Sequence, residues 1–278
     1  MQSPTSVTAL MSIYARTQPA ELRAALDSLV AQSLPAERIV VVIDGPVPDS
    51  LRSLIDEYPS VLPHPLEENQ GLGAALAAGM EQVDTEFVAR LDSDDIAFQQ
   101  RFEKQVEFLR AHPDVAVVGT AVQEFDDDTF RATGQLESSL GEVRRLPEDP
   151  SGYAKINSPL NHPSVMMRTA DVREVGSYRH LPFIEDYDLW ARLLAAGKQL
   201  RNMEEPLTYF RVSDAQLARR TDKKMLASEI QMQKNLASYG LVSRPRAVAN
   251  LVVRTVYRML PAGLLRKVNG MLFHRKRL

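Results

Sequence analysis

Phe87 to Asp95 reads FVARLDSDD, an apolar run that ends in three carboxylates within four residues. Apolar runs of this kind are typical of strands buried on both faces of an α/β sheet, and such sheets bind ligands in the crevice outside the carboxyl ends of their strands. Carboxylates at that place suit a hard divalent cation, which prefers oxygen ligands and often bridges one or two protein carboxylates to substrate phosphates. Asp92 and Asp94 are the candidate ligands, with Mn²⁺ or Mg²⁺ as the candidate ion. The competing reading has Asp94 or Asp95 capping a helix that begins near Gln99.

Outward from this run, short apolar stretches alternate with helical patterns, the mark of a mostly parallel sheet with crossover helices. Val7 to Ser12 reads as the first strand. Ala20 to Gln32 follows, with Leu22, Ala25, Leu26 and Leu29 spaced for one buried helical face, and Arg38 to Ile43 is a continuous apolar strand. Leu51 to Tyr58, Gly73 to Val83 and Gln99 to Arg110 read as helices, and Phe87 to Leu91 and Val115 to Gly119 as further strands. Three segments then fall just after strands, where function is expected: Ser12 to Arg16, Asp44 with Gly45, and Asp92 to Asp95. Asp-Gly is also a common turn, so the weight lies in the coincidence of the three on one sheet edge.

The chain has 278 residues, 44% hydrophobic and 25% charged, ordinary values for a well-cored globular protein. It has no cysteine, which excludes disulfides, thiolate metal sites and a cysteine nucleophile. The start, MQSPTSVTALMS, lacks a basic region followed by an apolar core, and no stretch reaches the roughly 18 apolar residues of a membrane span, so a cytoplasmic location is expected. The net charge of −3 hides an asymmetry, since Ser243 to Leu278 carries nine Lys or Arg and no Asp or Glu. Mixed with Leu, Val and Phe, these cations read as an amphipathic segment able to lie on an anionic membrane surface, or as a helix packed on the body with a solvated basic end. No groove-reading motif accompanies the charge, so nucleic acid is not an expected partner.

The segments ALMSIYART, RIVVVIDGP, ENQGLGAALAAGM, EFVARLDSDDIAFQQRFEKQVEFL, NHPSVMMR and EDYDLWARLL, in this order from about Val7 to Arg211, resemble family 2 glycosyltransferases of the branch that builds bacterial surface polysaccharides. The resemblance implies a GT-A fold: an α/β, Rossmann-like, mostly parallel central sheet flanked by helices, with a C-terminal helical segment. It divides the chain into a glycosyltransferase domain over 1–215, with a nucleotide-sugar half to about 120 and an acceptor half beyond it, and a basic membrane-associating segment over 216–278.

The same resemblance implies roles for individual residues. Asp44 would accept the N3 hydrogen of a uracil, although Ile43 stands where the family carries the first Asp of an Asp-Asp pair. Ser12, Tyr14, Asn69 and Ser93 would line the nucleotide pocket, Arg90 would support the sugar diphosphate, and Arg211, with Arg219 and Arg220, would clamp phosphates. Asp92 and Asp94 resemble the Asp-X-Asp pair that holds the metal. Glu185 and Asp186 open a helix whose apolar positions are Leu189, Trp190, Leu193 and Leu194, and carboxylates in a first turn are favoured by the helix dipole. The resemblance makes Asp186 the catalytic base and Glu185 its orienter or an acceptor contact. His162 would touch the acceptor or the diphosphate, while Asp126 to Asp128 read as a solvated turn.

The function so implied is an inverting, metal-dependent transfer of a sugar, from a nucleotide sugar expected to be a UDP-sugar, to a hydroxyl of a lipid-linked oligosaccharide at the inner face of the cell membrane. The alternatives are a non-catalytic membrane-associated relative and a nucleotidyltransferase. The latter usually carries a Gly-rich basic phosphate loop near its start, where MSIYART has none. A glycosidase would also use two carboxylates but needs neither metal nor nucleotide.

Overall fold

The computed structural model describes residues 6–213 and 223–259. Its strands are β1 (Val7–Ile13), β2 (Arg38–Ile43), β3 (Val61–Pro65), β4 (Phe87–Arg90), β5 (Ile96–Ala97), β6 (Val115–Asp126), β7 (Leu140–Arg144), β8 (Met166–Arg168) and β9 (Gln199–Val212). They form one sheet in the order β3-β2-β1-β4-β8-β6-β9-β5, with β7 added to β6. Pairing is parallel through β3, β2, β1 and β4 and again between β6 and β9; it turns antiparallel where β8, β7 and β5 join.

The helices are α1 (Pro19–Val30), α2 (Asp49–Asp56), α3 (Leu72–Glu81), α4 (Arg101–Ala111), α5 (Asp127–Thr133), α6 (Leu136–Ser139), α7 (Thr169–Glu174), α8 (Glu185–Ala195), α9 (Lys223–Ser238) and α10 (Arg244–Met259). Helices α1, α2 and α4 cover one sheet face, where Leu22, Leu26 and Leu29 meet Met11, Val41 and Phe102. Each such leucine, fully buried, contributes roughly 1.5–3 kcal/mol. Helices α3, α7 and α8 cover the other face, where Leu76 and Trp190 join Leu10, Val42 and Val88. Strand residues alternate between these two cores, so β1 and β2 read as unbroken apolar runs.

Two regions differ from the sequence reading for identifiable reasons. VLPHP (Val61–Pro65) carries two prolines and little apolar character, yet it is strand β3. It lies at the sheet edge, where a missing N–H costs no ladder bond. Strand β6 continues past Gly119 to Asp126 because β9 pairs with it along this length. The acidic triplet therefore opens helix α5, with Asp126 and Asp128 exposed as expected and Asp127 drawn inward. Asp126 caps α5, accepting the Thr129 amide at 2.8 Å, and Asp127 is buried against arginines.

Helix α9 packs on α8 through Met232 and Leu236 against Ile184, Tyr187 and Ala191. Among the described residues no helix is long and apolar enough to cross a membrane. The expected phosphate-clamping residues Arg219 and Arg220, and the basic stretch after Met259, lie outside the described residues.

Candidate active site at the carboxyl edge of the sheet

The register that aligns Ile13 with Ile43 and Leu10 with Arg90 makes the chain leave β1, β2 and β4 on one edge. Ser12, the penultimate residue of β1, is half-buried, and after the strand Tyr14 to Thr17 form a tight turn, the Thr17 hydroxyl accepting the Tyr14 amide at 3.1 Å. The Arg16 guanidinium lies 5.5 Å from the Tyr14 ring centre. After β2, Asp44 is buried, and its carboxylate accepts the amides of Gln70 at 2.7 Å and Gly71 at 3.0 Å. The Asn69 side chain in turn donates to the Asp44 carbonyl. Gly45, with φ +82°, allows this docking, since a Cβ there would lie 2.6 Å from the Asn69 nitrogen. Asp44 and Asn69 thus bind one another's loops. With both its oxygens bound to backbone amides, Asp44 clasps the loop after β2 to the start of α3.

Asp92, Asp94 and Asp95 converge in the turn after β4, with one carboxylate oxygen of each within 4.8 Å of the others. Ser93 sits at the tip of the same turn, half-buried. Neither Asp94 nor Asp95 caps the following helix, which starts at Arg101 after Gln100 with no side-chain cap. The fully buried Arg90 donates to Asp92 at 2.6 Å. Burial, reinforced by Asp92, pushes the Asp94 carboxyl up to about 6, and burial next to Asp94 holds Asp95 well above the usual carboxylate range. One oxygen of Asp95 is buried without a hydrogen-bond partner. Partly dehydrated carboxylates that repel one another and keep a lone pair unused form a donor set that fits a divalent cation.

This turn is braced from behind. The Arg211 amide donates to Asp95 at 2.8 Å, its guanidinium donates to the Asp94 carbonyl at 2.7 Å and to Asp127 at 2.6 Å, and its plane lies against Phe125 and Phe130. Arg211 is committed inside the protein instead of presenting its donors to a phosphate. Arg101, also buried, donates to the carbonyls of Arg90 and Val165, and burial beside Arg90 lowers its guanidinium to about 9.

Helix α8 opens with Glu185 and Asp186. Burial, reinforced by Asp186, raises Glu185 to about 7. Burial also raises Asp186, opposed by the Tyr187 amide, the Ser158 hydroxyl donating at 3.0 Å, and the charge of Arg90. Helix α3 approaches this pair closely, for a Cβ on Gly73 would fall 2.2 Å from the Arg179 carbonyl and 3.0 Å from the Glu185 Cβ. His162 shares a 3.0 Å hydrogen bond with the Tyr178 hydroxyl, and burial near Arg90 keeps its imidazole neutral. Arg90 and Asp92 act electrostatically on Glu185, so the carboxylate turn and the α8 pair share one field.

Comparison with known proteins fits this geometry. Residues 8–174 match the family described as Glycosyl transferase family 2. The chain is 34% identical over 255 residues to the amylovoran biosynthesis glycosyltransferase AmsE of Erwinia amylovora, covering 91% of this chain and 93% of that one. The chain is a family 2 glycosyltransferase. To another member, the UDP-Gal:α-D-GlcNAc-diphosphoundecaprenol β-1,3-galactosyltransferase of Escherichia coli, it is 32% identical over 257 residues, covering 91% of this chain and 90% of that one. The mannosyltransferase PcManGT of Pyrobaculum calidifontis, solved with GDP-Man and Mn²⁺, superposes with a TM-score of 0.64 at 16% identity, covering 99% of this chain and 82% of that one. The fold is GT-A, as the motif order implies.

In this family 2 glycosyltransferase the structure brings Ser12, Tyr14, Asp44, Asn69, Arg90, Asp92, Ser93 and Asp94 to one sheet edge, with Glu185 and Asp186 within the electrostatic reach of Arg90. Sequence reasoning missed Asp95 as a third cluster member and Ser158 as the partner of Asp186. The spacing of DSDD already held the first. Ser158 had no signal, because nothing local ties a serine to a carboxylate 28 residues away.

Proposed function

We propose that the protein is an inverting, metal-dependent transferase that moves a sugar from a nucleotide donor, a UDP-sugar, to a hydroxyl of a lipid-linked oligosaccharide in bacterial surface-polysaccharide synthesis. The single observation that carries the reading is the electrostatic coupling of two carboxylate groups, Asp92–Asp94–Asp95 and Glu185–Asp186, both acted on by the buried Arg90. The lipid-diphosphate acceptor and UDP donor of the Escherichia coli relative support the substrate class. The Mn²⁺ in the Pyrobaculum calidifontis structure supports the metal.

Asp94 and Asp92, with Asp95 beside them, would hold the Mn²⁺ or Mg²⁺, which when bound neutralises charge on the leaving diphosphate. Ser12, Tyr14, Asn69 and Ser93 line the space for the nucleotide, which the Asp44 clasp shapes. Asp186 takes the proton of the acceptor hydroxyl as its oxygen attacks the anomeric carbon; the bond from that carbon to the diphosphate oxygen breaks on the opposite side, and configuration inverts. Glu185 orients the acceptor. Burial raises Asp186, so turnover climbs with pH as this base ionises, since it acts only as the carboxylate.

A peripheral position on the inner membrane face fits helix α10, which turns Val248, Val252 and Val253 to solvent and opens a stretch rich in Lys and Arg. The test is Mn²⁺-dependent hydrolysis of a panel of UDP-, GDP- and dTDP-sugars by the native protein, Asp94→Asn and Asp186→Asn. Turnover of one donor, lost on chelation and reduced about 100-fold or more in each variant, supports the reading. Undiminished turnover in Asp186→Asn would remove that residue from the base's role.

A further inference from the structure

Helix α10 departs from an ordinary surface helix, which buries its apolar stripe and exposes its polar face, in burying polar groups beside Ala247. Its outer face carries the three exposed valines; its inner face carries Asn250, 5% exposed, and Arg254. The inner polar groups are not idle. Asn250 donates to the Lys155 carbonyl at 2.7 Å, and Arg254 donates to the Ile156 carbonyl and the Asn157 side chain, both at 2.8 Å. Arg254 is held in turn by the buried Glu229 of α9.

The segment so gripped is the one that reaches α8. Tyr187 donates to the Ala154 carbonyl at 2.6 Å, and Ser158 donates to Asp186 at 3.0 Å. Residues 154–158 therefore lie between α10 and the helix that carries the proposed base. We infer that Asn250 and Arg254 are positioning residues for the transfer reaction: from the inner face of α10 they hold residues 154–158, and through the Ser158 hydroxyl they fix Asp186. This rests on the reading of Asp186 as base. It also gives the C-terminal helix a duty at the catalytic centre besides any contact its outer face makes.

The groups facing Asp186 decide the sign of the effect. Glu185 and Tyr187 lie beside it on α8, Arg90 faces it from the end of β4, Tyr178 from the loop before α8, and Tyr153, Glu229 and Arg254 surround Tyr187. Burial favours the protonated acid, whereas the Ser158 hydroxyl and Arg90 favour the carboxylate. Loosening Ser158 therefore moves the titration of Asp186 upward.

The experiment follows the Asp186 carboxyl resonance by NMR in protein labelled with carboxyl-¹³C aspartate, assigned by its absence in Asp186→Asn. Ser158→Ala is expected to shift the midpoint upward by about one pH unit, a roughly tenfold loss of the ionised form at any pH below both midpoints. Asn250→Ala and Arg254→Met shift it the same way, while Val252→Ser on the outer face leaves it unchanged. Donor hydrolysis by the first three variants should fall about tenfold at pH values below the native midpoint and recover as pH rises, a recovery that general loosening of the fold would not produce. Should Arg254→Met fail to fold, Asn250→Ser serves in its place. Native midpoints in folded Asn250 and Arg254 variants would overturn the inference alone, while full activity in Asp186→Asn would overturn both it and the base assignment.

Discussion

Replacing Arg211 by Met removes the brace behind the carboxylate turn and separates two accounts of this residue. The Arg211–Asp127 pair is 2.6 Å long, with side chains 4% and 10% exposed. Removing one partner of a buried pair leaves an uncompensated charge and costs about 3–5 kcal/mol. Asp127 keeps its bond from Arg131, which is 55% exposed and itself pairs with Glu21, so the low end, about 3 kcal/mol, applies. The Asp94 carbonyl also loses its donor. At about 2 °C per kcal/mol for a chain of this size, the melting temperature should drop by about 6 °C. Burial alone would raise the Asp127 carboxyl, but hydrogen bonds from Arg131 and Arg211 outweigh it and the acid is depressed. Stability from such a group is present above its unfolded value of about 4 and is lost as pH falls through its lower folded value. The deficit of Arg211→Met is thus full at pH 7 and shrinks toward pH 3. Urea unfolding of native and variant protein without metal or donor, at several pH values, reads this directly. A variant as stable as native at pH 7 but weakened in nucleotide-sugar binding would refute the bracing argument and restore Arg211 as a phosphate clamp.

Asp94→Asn should raise the melting temperature of the metal-free protein at pH 7 while removing Mn²⁺-dependent stabilisation. An acid held up at about 6 destabilises the fold as pH rises from about 4 to 6, and calorimetry with and without Mn²⁺ checks both halves. Gly73→Ala forces either the Arg179 backbone or the α8 pair to move, and displacement of a catalytic group by about 1 Å costs on the order of 100-fold in turnover. The expected signature is a fall in kcat with donor binding, read by isothermal titration, nearly intact. Val252→Asp with Val253→Asp should abolish co-sedimentation with vesicles containing phosphatidylserine and change stability by no more than about 0.5 kcal/mol, because both side chains are more than half exposed.

The parts of the molecule legible in its sequence are those set by near neighbours in the chain. The runs Arg38 to Ile43 and Phe87 to Arg90, and the Leu22, Ala25, Leu26 and Leu29 stripe, announce strands and a helix because burial on a sheet or along one helical face imposes a period of its own. Carboxylates packed as DSDD, and Glu185–Asp186 at a helix start, are local too, and with the motif order they led to the family. Tertiary structure decided what these groups touch. Arg211 faces inward because β9 pairs along the whole of β6 and delivers it beside Asp127, while Asp44 spends its carboxylate on amides 26 and 27 residues away. Ser158 and the inner face of α10 reach Asp186 through contacts spanning from 28 to nearly 100 residues of chain. Periodicity records which side of an element is buried; the partner that meets a polar group there is set by how the elements pack, and that leaves no local mark.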